Sequence, residues 1–173
     1  MEWAARFTTP EGIEDVTMPR SGRDSLHGWW LPRPADTEGG GVGLFGRGNA
    51  RNLPDHLAFV LGLNELGFGV LMFDYRGYGR SSSVNLLGRH TLRRDASAAH
   101  SFLRQHKALP GEPIAIVGHS MGAVVGAAVV ADRPEAFDAA VLVAPFSSFP
   151  RVASDFTGPL GWALIPRGLA AEE

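Results

Sequence analysis

Cysteine is absent from the 173 residues, which excludes a disulfide framework and a thiolate metal site and fits a reducing compartment. Blocks of like charge are missing as well. The 16 Lys+Arg and 18 Asp+Glu give a formal charge of −2 and lie dispersed along the chain, so nucleic acid is not an expected partner. No long hydrophobic run occurs. The longest uncharged apolar stretch, Met121 to Ala131, falls far short of the roughly 20 residues that a membrane span needs. Met1 to Pro10 carries Glu2 and Arg6 and has no apolar core of signal-peptide length. The expectation is a cytoplasmic protein without a membrane span. Internal repeats and low-complexity tracts are also lacking.

What is present is a hydrophobic content of 45%, enough for one globular domain with a sizeable core. Asp15 to Pro19 and Leu26 to Leu31 read as two strands joined by a turn through Ser21-Gly22, an antiparallel edge. Val42 to Phe45 is a third strand that ends at Gly46-Arg47-Gly48-Asn49. Leu53, Leu57, Val60 and Leu61 then recur at helical spacing, with Pro54 suited to the first turn and Gly67 to a C-terminal cap. Val70 to Phe73 is a continuous apolar run of the kind buried on both faces of a parallel sheet, and it ends in Asp74-Tyr75-Arg76-Gly77-Tyr78-Gly79. A helix capped by Thr91 presents Leu92, Ala96, Ala99 and Leu103 on one face. Ile114 to Val117 is the fifth strand, Ala123 to Ala131 lies in a buried helix, and Ala139 to Ala144 is the sixth strand.

Strands alternating with helices predict right-handed crossovers and a mostly parallel, doubly wound α/β sheet with helices on both faces. Ligands of such sheets sit outside the carboxyl ends of the strands. Gly46 to Asn49, Asp74 to Gly79 and Gly118-His119-Ser120-Met121-Gly122 all fall at predicted strand ends, so they gather on one rim. The last is a Gly-x-Ser-x-Gly between a strand and a helix, the context of a nucleophile elbow. Gly41 to Gly46 also matches the Gly-x-Gly-x-x-Gly dinucleotide fingerprint. Its apolar residues are themselves the strand, however, and no helix opens at its end, so nucleotide binding is rejected. No cofactor or metal is called for.

Taken together, these three strand-end segments resemble the α/β-hydrolase superfamily. Leu26-His27-Gly28-Trp29-Trp30-Leu31-Pro32 is similar to a strand of its serine esterase and serine-aminopeptidase-like branch. The resemblance covers about residues 14 to 150, with 151 to 173 as the start of a lid or a tail, and implies a single, partial domain that ends after the sixth strand. It implies Ser120 as nucleophile and an oxyanion hole built from the backbone N–H groups of Met121 and Asn49. Arg47 stands where relatives usually carry histidine. Asp74 and Arg76 are expected to brace the rim as ion-paired residues rather than to catalyse. Phe146, Phe149, Phe156 and Trp162 either shape an apolar acyl site beneath a lid or belong to the core.

The superfamily order is serine, then acid, then histidine, yet no histidine follows His119. His27, His56, His90, His100 and His106 precede the serine, and His119 is the elbow residue expected to point away from the hydroxyl. Asp155 lies where some relatives place the acid, and an acid without histidine orients nothing. Asp138 lies at the wrong end of its strand. Two expectations follow. The first is a serine hydrolase of carboxylic ester or amide bonds, acting on a small molecule and inactive or weak as this truncated chain. The second is a catalytically dead binding domain or gene remnant of the same fold. The apolar sixth strand, left at a sheet edge, invites self-association or a complementing chain.

Overall fold

The fold is described by a computed structural model, covering residues 9–20, 22–37, 40–49 and 52–158. Six strands form one sheet in the order β1-β2-β4-β3-β5-β6. They are β1 (Glu14–Pro19), β2 (Ser25–Leu31), β3 (Gly41–Gly46), β4 (Phe68–Phe73), β5 (Ile114–His119) and β6 (Ala139–Val143). β1 and β2 pair antiparallel, as do β2 and β4. The remaining neighbours are parallel. The N-terminal hairpin therefore sits at one edge and β6 at the other.

Among the described residues four α-helices accompany the sheet: α1 (Leu57–Glu65), α2 (Arg89–His106), α3 (Met121–Asp132) and α4 (Phe149–Thr157). A 3-10 turn, Leu53–His56, with Pro54 in its first positions, leads into α1. Gly67, at φ 88°, follows α1 and donates its N–H to the Asn64 carbonyl at 2.9 Å, as a C-terminal glycine does.

The period-2 alternation of the strands sorts the core onto two faces. Val42, Leu44, Leu71 and Phe73 pack with Leu92, Ala96 and Leu103 of α2 and with Met121, Val125 and Val129 of α3. Phe45, Val70, Met72 and Val117 point the other way and pack with Leu53 and Val60. Central strands that bury both faces must be apolar throughout, and this is why β3 and β4 read as unbroken hydrophobic runs.

Several boundaries differ from the sequence expectation, among them those of α2, β5 and β6. Thr91 does not cap α2: the cap is Gly88, three residues earlier, and the Thr91 hydroxyl turns back to the Leu86 carbonyl at 3.3 Å. β5 extends through Gly118 and His119 because both continue the ladder opposite Leu142 and Val143. β6 stops at Val143, since Ala144 adopts φ 51° and leaves the strand. Among the described residues no helix is long and apolar enough to cross a membrane.

Candidate active site

The carboxyl ends of β3, β4 and β5 meet on one rim. Ser120 stands between β5 and α3 with φ 53° and ψ −115°, a left-handed conformation that non-glycine residues rarely adopt. Its N–H donates to the Val143 carbonyl at 2.9 Å, and its own carbonyl accepts from Ala123 N at 2.9 Å and Val124 N at 3.2 Å. The backbone is thus fixed from β6 on one side and from the first turn of α3 on the other.

Steric limits on either side make the turn this tight. A Cβ at Gly118 would stand 2.6 Å from both Ala123 Cα and Ala123 N. One at Gly122 would collide with the Gly46 carbonyl and lie 2.8 Å from the Arg47 carbonyl. The start of α3 therefore rests directly on the loop that leaves β3. Gly126, one turn on, is less constrained, with Ile116 Cδ1 and Leu142 Cδ2 each 3.4 Å from its would-be Cβ.

The loop after β3 carries Arg47, whose side chain is completely buried. Its Nε lies 2.8 Å from Asp74 Oδ1 at the end of β4, and its Nη1 donates to the Gly48 carbonyl at 3.0 Å. The guanidinium also stacks over the Tyr78 ring, 4.5 Å from the centroid. Gly48 runs beside Ser120: a Cβ there would sit 3.5 Å from Ser120 Cβ and 3.3 Å from His119 Nδ1. Asn49 follows, exposed, and its Oδ1 accepts a hydrogen bond from the Tyr78 hydroxyl. The same hydroxyl lies 3.9 Å from Met121 Sδ. Burial pushes the Tyr78 hydroxyl above its ordinary pKa while the Arg47 cation pulls the other way, so at neutral pH it is a protonated donor.

Ser120, Met121 and Asn49, picked from sequence, are thus gathered in one place. Asp74 and Arg76 do carry ion pairs, though with separate partners. Asp74 meets Arg47, and its Oδ2 lies 3.5 Å from His27 Nδ1. Arg76 reaches Asp95 Oδ1 and Asp24 Oδ2, each at 2.9 Å. Asp95 is wholly buried; burial raises its pKa, opposed by the nearby Arg76 and Arg20. His27 completes the brace through Nε2, 3.2 Å from Asp15 Oδ1, and Asp15 in turn meets Arg80 at 2.5 Å.

The contacts of the other histidines lead away from the Ser120 hydroxyl. His119 packs its ring against Phe59 at 5.1 Å and His56 at 5.8 Å. His100 bonds the Ala136 carbonyl at 2.9 Å, His106 packs at a tilt against Phe102, and His90 is exposed near the start of α2. Asp138 accepts from Ile114 N at 2.8 Å, at the end of β5 remote from the serine. Asp155 is exposed on α4. Phe146 and Phe149 form an edge-to-face pair at 4.8 Å packed against the α2/α3 core. Trp162 and the Phe156 side chain lie outside the described residues.

Sequence reasoning missed Tyr78 and the partner of Arg47. A tyrosine between two glycines at a strand end is a visible signal, because the flanking residues serve only the turn and leave the ring as the group with something to touch. The Arg47–Asp74 pair spans two strand ends and has no local signature.

Residues 46–166 match the family model described as serine aminopeptidase, S33. The chain is 34% identical over 149 residues to an uncharacterized protein of Mycobacterium tuberculosis, covering 86% of this chain and 51% of that protein. It is 29% identical over 150 residues to the alpha/beta hydrolase domain-containing protein WAV2 of Arabidopsis thaliana, covering 86% and 48%. An esterase of Pyrococcus furiosus superposes with a TM-score of 0.68 at 22% identity, over 91% of this chain and 57% of that one. The chain spans about half the length of the curated relatives it matches.

Proposed function

Because this chain belongs to the serine aminopeptidase S33 family of α/β-hydrolases, we propose that it carries the nucleophile of a serine hydrolase for carboxylic ester or amide bonds in small molecules. Ser120 Oγ attacks the carbonyl carbon, and the Met121 and Asn49 backbone N–H groups receive the charge that develops on the oxygen. The observation that carries this reading is the strained backbone of Ser120 at the junction of β5 and α3, beside the Asn49 loop. Strain of this kind at a rim residue is retained where it serves a site.

General-base help is the component that the described residues do not bring to Ser120. Triad enzymes stripped of their members keep only about 10³ to 10⁴-fold acceleration over water. The 173-residue chain alone is therefore expected to hydrolyse a short-chain nitrophenyl ester no more than about 10³ to 10⁴ times faster than water does, far below ordinary enzymatic turnover. Added imidazole, acting as an external base, raises that rate in the wild type and leaves Ser120→Ala at the imidazole-only background. Ordinary enzymatic turnover without imidazole would overturn the missing-base account.

The second reading, a catalytically dead binding domain, draws on the same lack, among the described residues, of a histidine hydrogen-bonded to the serine. It differs in one outcome: imidazole then gives no Ser120-dependent rate.

A further inference from the structure

We infer that Tyr78 is a positioning residue of the oxyanion site, tying the exposed Asn49 to Met121 so that their two backbone donors keep one separation. The inference rests on the reading of Ser120 as nucleophile and of these two residues as its oxyanion donors.

The two donors are held very differently. Met121 opens α3, is fully buried and is fixed by the helix and by the elbow beneath it. Asn49 sits in a bend after β3 and is exposed. An oxyanion hole works because its donors are aimed before charge develops, so the exposed donor, which no helix holds, is the one that needs an anchor. Tyr78 spans that gap: its hydroxyl donates to Asn49 Oδ1 and lies 3.9 Å from Met121 Sδ. With its proton committed to Asn49, the hydroxyl is not a donor to substrate, and this makes Tyr78 a positioning group rather than a third oxyanion donor.

The ring is itself held. Arg47 stacks on it at 4.5 Å while its Nε meets Asp74 at 2.8 Å and its Nη1 the Gly48 carbonyl at 3.0 Å. One buried guanidinium thus fixes both the tyrosine ring and the peptide just before Asn49. Arg47 thus gives the tyrosine its platform.

The test is labelling of the full 173-residue chain by a fluorophosphonate with imidazole as external base. Ser120 Oγ bonds to phosphorus, fluoride leaves and imidazole takes the hydroxyl proton. Intact-mass spectrometry yields the limiting rate and the half-saturating probe concentration. Removing a whole oxyanion donor costs about 10² to 10³-fold, so loosening one is expected to slow the limiting rate of Tyr78→Phe by about tenfold, with half-saturation within about twofold. Asn49→Ala loses a similar factor, and the double variant loses no more than the larger single loss, as coupled groups do. Since Asn49 is exposed, that variant folds even if Tyr78→Phe does not and tests the tie alone. A wild-type limiting rate in either single variant, or losses that multiply, overturns the inference while leaving the nucleophile intact. No Ser120 adduct in the wild type overturns both.

Discussion

At Ser120 the backbone holds strain of about 1 to 3 kcal/mol, balanced by hydrogen bonds to Val143, Ala123 and Val124. Glycine adopts that conformation without penalty, though it frees the unfolded chain further. Ser120→Gly is accordingly expected to raise unfolding stability by about 1 kcal/mol in urea titrations while abolishing fluorophosphonate labelling. Arg47 behaves in the opposite sense. Its guanidinium and the Asp74 carboxylate are both almost entirely buried, and removing one member of such a pair typically costs about 3 to 5 kcal/mol. Arg47→Met is expected to lose stability of that order by urea denaturation, and loss within 1 kcal/mol would contradict a structural role for the pair. Ser120 was legible in the sequence because a glycine bracket between a strand and a helix is a local pattern. Arg47–Asp74 was not, because neither residue's neighbours hint at the partner.

Among the elements, α3 and the loop after β3 set the geometry of the site. Gly122 has no room for a methyl group against the Gly46 carbonyl. Overpacking of this kind costs about 1 to 3 kcal/mol, so Gly122→Ala is expected to lower the thermal midpoint and to slow labelling by shifting Asn49 away from Ser120. Gly126→Ala, with 3.4 Å clearances, is expected to leave both nearly unchanged. On α2, burial depresses the His100 pKa below its usual 6.5, only partly offset by its bond to the Ala136 carbonyl. The folded state therefore resists protonation that the unfolded chain accepts. Stability from this group is complete above pH 6.5 and is lost as pH falls toward the lower folded value. Thermal midpoints measured from pH 7.5 down to 5.5 should fall, and less steeply in His100→Gln. The six strands and the helices α1 to α3 were legible in the sequence, whereas α4 was not read as a helix and the start of α2 was misplaced. A threonine followed by an apolar face resembles a cap, but the helix gains another turn by starting behind Gly88.

For the whole molecule, the alternation of strands and helices was enough to read a mostly parallel sheet, with the N-terminal hairpin at one edge and β6 at the other. Strand order was less legible, since nothing local places β3 between β4 and β5. β6 pairs with β5 on one side, and Val141 and Leu142 remain 51% and 37% exposed. An apolar edge strand is a template for pairing, so sedimentation velocity is expected to show concentration-dependent association that Val141→Lys weakens. A strictly monomeric wild type over a hundredfold range of concentration, chosen to span about 2.7 kcal/mol of mass action, would contradict it. On the reading proposed above, the whole rim presents Ser120 as a nucleophile. Intact-mass and peptide mapping after fluorophosphonate treatment with imidazole decide whether it does. One adduct per chain is expected, on Ser120, and none in Ser120→Ala. An unmodified wild type, or an adduct on any other residue, would contradict it.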